Sequence, residues 1–335
     1  MQAHSSQRAR TRLNDKIDNR ILHLLQTDGR ISKLRLAEKV HLSPSAVFER
    51  VKRLHREGYI LGYQARLNHE RLGMEVIAFV EIHLERMNAA VMQRFEAAVS
   101  QRASILECYM IAGPFDYLLK VLVPDMQAFR SVLASEIARL PGVRDVQTYA
   151  GVERASGAHA IALDDDAAID DIDASLLRLI QTDGRSNAAR LAEELRITPA
   201  VVRDRLARLY RLGFIVGYVA VLNEAKLKSG LVAFAGVRAA PGSVGLSKAL
   251  KAASQSALEI VECHDLIGNF DHLLKVRVPD IRRHNDLMES LIWPLAGVQE
   301  VRTYAVIDEI KRTGAIPVQF SSLAQTAQLA NPLLL

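Results

Sequence analysis

Apolar residues first fall into helical spacing at Ile17, Ile21, Leu24 and Leu25, with Asp18 near the start of that segment and Gly29 just past its end. Ser32 can cap a second helix carrying Leu36, Ala37 and Val40. After a short turn Ser43 caps a third, with Pro44 at its first position, where a missing N–H costs nothing. The stripe Val47, Val51 and Leu54 runs along this third helix until Gly58 ends it. Three short helices with a tight turn before the third predict a helix-turn-helix, and Tyr59, Ile60 and Tyr63 a short strand behind it.

The period then changes. Residues 76–84, 104–112, 116–123 and 143–152 read as strands, and 88–101 and 125–140 as helices, the latter capped by Asp125. The order β-α-β-β-α-β predicts a ferredoxin-like domain. The whole pattern recurs 155 residues later. Ile17–Tyr63 lies over Ile172–Tyr218 with 23 of 47 positions identical, "GPFDYLLKVLVPD" over "GNFDHLLKVRVPD", and "LPGVRDVQTYA" over "LAGVQEVRTYA". Two copies of a complete unit are a tandem duplication and not a solenoid. The expected fold is α+β: a winged helix-turn-helix plus a ferredoxin-like βαββαβ effector domain, the pair duplicated in tandem. Expected domains are helix-turn-helix one at 1–63, ferredoxin-like one at 64–163, an acidic linker with helix-turn-helix two at 164–218, and ferredoxin-like two with a C-terminal tail at 219–335.

Composition fits this division. A chain of 335 residues, 49% apolar and 24% charged, is ordinary for a soluble multidomain protein. No apolar run approaches the roughly 18 residues of a membrane span, and "MQAHSSQRARTRLNDK" lacks the apolar core of a signal peptide. No membrane partner is expected, and the cytoplasm is the expected compartment. Two cysteines, Cys108 and Cys263, make no disulfide framework and read as small buried thiols. The net charge of +5 is unevenly placed: residues 1–63 carry 13 Lys/Arg against 6 Asp/Glu. That excess points to a polyanionic partner, nucleic acid ahead of membrane, with a solvated charged surface as the alternative.

The DGR after the first helix, "LSPSAVFERVKRL", "GYILGY", "ECYMIAGPFDYLLKV" and "LPGVRDVQTY" together resemble the Lrp/AsnC (feast/famine) transcriptional regulators. The resemblance covers roughly residues 13–162 and 168–316. It implies binding of double-stranded DNA, self-association through the ferredoxin-like domains, and control by an amino acid or related small metabolite. With two fused copies, the chain resembles a covalently joined family dimer.

On the third helix, residues near the start meet base edges and later cations suit phosphates. Ser45, Ala46, Phe48 and Glu49 are therefore assigned to base readout, and Lys52, Arg53 and Arg56 to the DNA backbone. Ser43 caps the helix whose N–H groups face a phosphate. Arg50 is as readily an internal ion-pair partner as a DNA contact. Use of the unit for protein contact is the alternative. In copy two, Arg203, Arg205, Arg208 and Arg211 remain, while Phe48 becomes Arg203, Ser45 Ala200, Ala46 Val201, Glu49 Asp204 and Lys52 Ala207. The two heads should read different sequences.

For the effector, the hairpins "AGPFDY" and "IGNFDH" offer glycine turns and carboxylates able to accept from an ammonium group. The resemblance places Gly113, Phe115, Asp116, Met126 and Tyr149 at the pocket, with Gly268, Phe270, Asp271 and Tyr304 in copy two. An Asp after a turn also commonly satisfies its own backbone N–H groups. The ten histidines do not match between copies, which argues against a duplicated metal site. No cofactor, metal or catalytic residue is expected. Two other readings stay open. One is a siroheme decarboxylase, an enzyme class resembling this family and found as fused pairs, although the His/Tyr/Arg-rich stretch of those enzymes is missing here. The other is an effector-independent nucleoid protein.

Overall fold

The computed structural model describes residues 15–151, 168–223, 226–227, 230–257, 259–313 and 318. The basic run before residue 15, residues 164–167 of the acidic joining segment and nearly all of the C-terminal tail lie outside the described residues. In copy one the elements are α1 Lys16–Thr27, α2 Lys33–Val40, α3 Pro44–Arg56, β1 Ile60–Leu67, β2 Val76–Leu84, α4 Ala89–Ser100, β3 Ile105–Ala112, β4 Tyr117–Val123, α5 Met126–Val132 and β5 Val143–Gly151. Copy two repeats them: α6 Asp171–Thr182, α7 Ala188–Leu195, α8 Pro199–Arg211, β6 Ile215–Leu222, β7 Leu231–Ala239, α9 Leu246–Ser256, β8 Ile260–Ile267, β9 His272–Val278, α10 Ile281–Leu287 and β10 Val298–Arg312. A π-helical turn continues α5 and another α10. The architecture is the duplicated α+β one expected.

The copies do not fold one after the other. The chain forms two compact units, one holding both helix-turn-helix copies and one holding both ferredoxin-like copies. In the first unit the caps follow sequence: Ser32 accepts from Arg35 N and Ser43 from Ala46 N, while α1 is capped by Asp15, accepting from Asp18 N. The α2–α3 turn passes through His41 in the left-handed region at φ 55°, and its copy through Arg196 at φ 56°. The boundary expected at residue 63 falls inside β1, which pairs antiparallel with β6 from Ile60↔Leu222 to Leu67↔Ile215. Ala220 and Leu222 thereby enter the core of head one, beside Ile21, Leu25, Leu54 and Tyr63. Each wing strand is an edge that the other copy covers.

In the second unit, eight strands close a barrel in the order β10-β3-β4-β2-β5-β8-β9-β7. Strand β2 shows why "VIAFVEIHL" reads as a continuous apolar run. Ala78, Val80, Ile82 and Leu84 pack with Phe95, Val99 and Phe129, whereas Ile77 and Phe79 pack with Tyr109, Phe115 and Leu118. Both faces are buried, so alternation is lost. Among the described residues, strand β5 meets β8 at Ala150↔Ile267 and Gly151↔Leu266, and β10 pairs with β3 from Ala305↔Ala112 to Arg312↔Glu107. Near the end of β10, Lys311 Nζ donates to the carbonyls of Val99 and Arg102, capping the C-terminal end of α4.

Candidate DNA-binding face and effector cavity

Helix α3 buries Val47 and Leu54 and turns Ser45, Phe48, Glu49, Lys52 and Arg56 outward; Ser43 is exposed at the cap and Ala46 half-buried. Phe48 is 41% exposed, a large apolar side chain held out from the core. The structure changes the reading of the arginines. Arg50 Nη1 reaches Asp15 at 2.7 Å and Asp18 at 2.8 Å, and Arg53 Nη2 also pairs with Asp18. Asp18 is only 2% exposed. Head two repeats the device: Arg205 and Arg208 each donate to Asp173 at 3.0 Å, and Asp173 is 1% exposed. A carboxylate so deep in a three-helix core must be paired. Arg53, Arg205 and Arg208, expected at DNA, thus pin the first helix of each head to the third, and the ambiguity of Arg50 resolves inward. The signal in the sequence was the matching of Asp18 with Asp173, each at a position among apolar residues, together with both arginines. On α8 the exposed cations are Arg203 and Arg211.

The repeated DGR has a structural job that sequence reading missed. Gly29 N donates to Tyr218 O at 2.6 Å, and Gly184 N to Tyr63 O at 2.7 Å. Arg30 donates through Nε and Nη2 to Gly184 O, and Arg185 likewise to Gly29 O. Each guanidinium lies 3.4 Å from a ring centre, Arg30 over Tyr218 and Arg185 over Tyr63. A Cβ on Gly29 would sit 2.8 Å from the carbonyl carbon of Val219, and one on Gly184 2.8 Å from that of Gln64. Asp28 and Asp183 hold the turns by accepting from Arg30 N and Arg185 N. The motif is a reciprocal clasp between the heads.

In the barrel, four of the residues assigned to the effector converge. Phe115 and Tyr304 have ring centres 5.1 Å apart, Tyr149 and Phe270 5.7 Å, and Phe270 and Tyr304 5.9 Å. They surround a cavity of about 10 Å³ that Phe79 and Glu81 also line. The glycines make crossed contacts: a Cβ on Gly113 would lie 3.3 Å from the Tyr304 ring, and one on Gly268, at φ 155°, 2.5 Å from the Tyr149 ring. Asp116 and Asp271 are differently engaged from the reading above. Each carboxylate accepts at 2.7 Å from a backbone N–H at the end of the neighbouring strand, Leu84 N or Ala239 N. Met126 is 49% exposed at the start of α5 and lines no part of this cavity.

Glu81 was missed because it sits within an apolar strand. Burial pushes its carboxyl above the usual range, which the Tyr149 hydroxyl partly offsets. Copy two has Gly236 there, where a Cβ would meet the Phe270 ring at 2.7 Å. In the same unit lies a buried ion network. Lys275 Nζ donates to Glu107 at 2.8 Å and Glu262 at 3.1 Å, while Lys120 donates to Glu262 at 2.5 Å. Tyr109 OH donates to Glu107 at 2.6 Å, and His264 Nε2 lies 2.9 Å from Glu262. Burial opposes ionisation of Glu262, but the His264 hydrogen bond and the Lys120 and Lys275 charges hold its carboxyl well below the usual range. Among the described residues no cluster of three His, Cys, Asp or Glu could hold a metal, and no helix is long and apolar enough to cross a membrane.

A winged helix-turn-helix DNA-binding family matches residues 14–60 and 169–216, and the Lrp/AsnC ligand binding domain matches residues 77–155 and 232–316. The leucine-responsive regulatory protein of Salmonella typhimurium is 46% identical over 149 residues, 44% of this chain and 91% of that relative. The chain belongs to the Lrp/AsnC family. Its Escherichia coli K12 relative of the same name is 45% identical over equal shares. Each relative is matched by less than half of this Lrp/AsnC chain, in keeping with two fused copies. The siroheme decarboxylase NirDL, solved with an iron-uroporphyrin III analogue, superposes with TM-score 0.62 at 12% identity, covering 94% of this chain and 99% of that one. That likeness is of fold alone, and it spans the duplicated architecture.

Proposed function

We propose that this Lrp/AsnC chain is an amino-acid-responsive transcriptional regulator whose two heads read two unlike half-sites on double-stranded DNA. The observation that carries this reading is the pair of recognition helices, α3 and α8, joined in one unit by the β1–β6 pairing and the DGR clasp but carrying different outward residues. In ordinary two-fold dimers identical helices meet palindromic half-sites; here Phe48 faces out in one head and Arg203 in the other. Ser43, Ser45, Ala46, Phe48, Glu49, Lys52 and Arg56 form the face of head one, and Arg203 with Arg211 that of head two. Selection of bound sequences from a random DNA pool, followed by base-substitution scanning, tests this. A symmetric penalty pattern across the minimal site of one chain refutes it.

The effector is an amino acid or related metabolite held at the aromatic cluster of Phe115, Tyr149, Phe270 and Tyr304, with the Glu81 carboxylate nearest its ammonium group. A cavity of about 10 Å³ holds at most one water, so the rings must part for a ligand to enter. Titration with a panel of amino acids tests it: Glu81→Gln should weaken the response while leaving effector-free DNA binding intact. The chain acts in the cytoplasm, further associates through its ferredoxin-like domains, and is not an enzyme. Incubation with siroheme should therefore give no decarboxylated product.

A further inference from the structure

Head one contains a cavity of about 270 Å³ against α3, roofed by Phe48 and Lys52 of the proposed DNA face. Its floor is core side chain: Leu25, Leu36 and Val47. Its walls are Phe48 and Val51, and its remaining polar lining is basic: Lys33, Lys52, His55 and Arg185, with no carboxylate. Burial, with the Arg185 charge behind it, pushes the His55 imidazole below its usual value, and its Nε2 lies 3.1 Å from the Tyr63 hydroxyl. Lys33 Nζ lies 4.1 Å from the Phe48 ring centre. Among the described residues neither Lys33 nor Lys52 has an ion-pair partner, although Asp15 and Asp18 hold Arg50 and Arg53 on the helix that carries Lys52. Apolar floor, unpaired cations and absent acids define the complementary ligand: one anionic group on an apolar body. An apolar cavity of about 150 Å³ holds benzene, so this one has room for such a body with its charged end at the lysines.

The related cavity beside α8, about 480 Å³, is lined by Arg30 but also by Asp28. There Lys52 is replaced by Ala207 and His55 by Tyr210, while Lys33 aligns with Ala188. The anion preference belongs to head one only.

We propose that this cavity is a second small-molecule site, for a branched, aromatic or medium-chain carboxylate, placed on the DNA-binding unit itself. A ligand there would cover Phe48 and Lys52, so it would compete with DNA at head one and leave head two unaffected. Isothermal titration of octanoate into the full chain tests this, with octylamine as the charge-reversed control. Octanoate should bind one per chain and octylamine should not. Lys33→Gln, an exposed change, should weaken octanoate roughly fivefold, the scale of one lost surface ion pair. Val51→Phe, which fills the cavity, should remove the binding, with circular dichroism confirming the fold. Saturating DNA should weaken octanoate in the parent chain. Octylamine binding as tightly as octanoate, or octanoate binding that ignores Lys33→Gln, overturns the proposal; if Val51→Phe unfolds, the Lys33→Gln result decides alone.

Discussion

Helices α3 and α8 share their inward half and differ in their outward half. Inward, both are capped by a hydroxyl with proline next, and both offer two arginines to a buried aspartate on the first helix of their head. Outward, Ser45, Phe48 and Lys52 of α3 are Ala200, Arg203 and Ala207 in α8. The difference separates two kinds of constraint. A buried carboxylate without its cation is costly, so the Asp–Arg pins remain alike, whereas exposed positions lose little when they change. What diverged is the outward set of residues.

Disarming the pins should cost most. Arg50→Met with Arg53→Met leaves Asp18 buried without its cations and should destabilise the head unit by about 3–5 kcal/mol. Arg205→Met with Arg208→Met should cost as much through Asp173. Denaturant unfolding would measure both, and a large inequality breaks the claim that the inward halves are equivalent. Next come the clasp glycines. Gly29→Ala and Gly184→Ala each push a methyl into the opposite strand's backbone and should cost about 1–3 kcal/mol.

The outward halves are tested on DNA. Phe48→Arg, which gives head one the residue of head two, should shift base preference in one half-site by about 1–3 kcal/mol per misread base pair. Site selection with that variant would sharpen the comparison, and an unchanged motif would remove Phe48 from readout. Lys52→Gln with Arg56→Gln should lower the salt slope by about two phosphate contacts, against about one for Arg211→Gln in head two, because Ala207 carries no charge.

The smallest effect is on pH. His55 is held below the usual 6.5, first by burial and then by Arg185. The unfolded chain therefore takes up this proton first on acidification. Stability should fall as pH drops below 6.5 and level off once the folded group is also protonated. His55→Tyr, the residue of head two, should flatten that part of the curve in pH-dependent unfolding. The barrel answers at lower pH: Glu262 has a lowered value, so its contribution is present above 4.5 and is lost as pH falls through the folded value.

Sequence by itself determined the elements, the duplication and the family, because periodicity, caps and turns are local. Ser32, Ser43 and Asp125 cap the helices that follow them as read. The family resemblance pointed to Phe115 and Tyr149 in copy one and to Phe270 and Tyr304 in copy two, and the fold brings the four rings around one cavity. Only the tertiary structure decided how the copies share their parts. Spacing does not show that Arg30 of one copy bonds Gly184 of the other, or that β1 pairs with β6. It does not show that Arg53 turns to a buried Asp18 and away from solvent, since an arginine on a helix reads alike in either role. Nor could it reveal Glu81 inside an aromatic cluster, because that burial exists only once the strands of both copies close one barrel around it. Local propensity is written residue by residue; burial and partnership depend on contacts far apart in the chain.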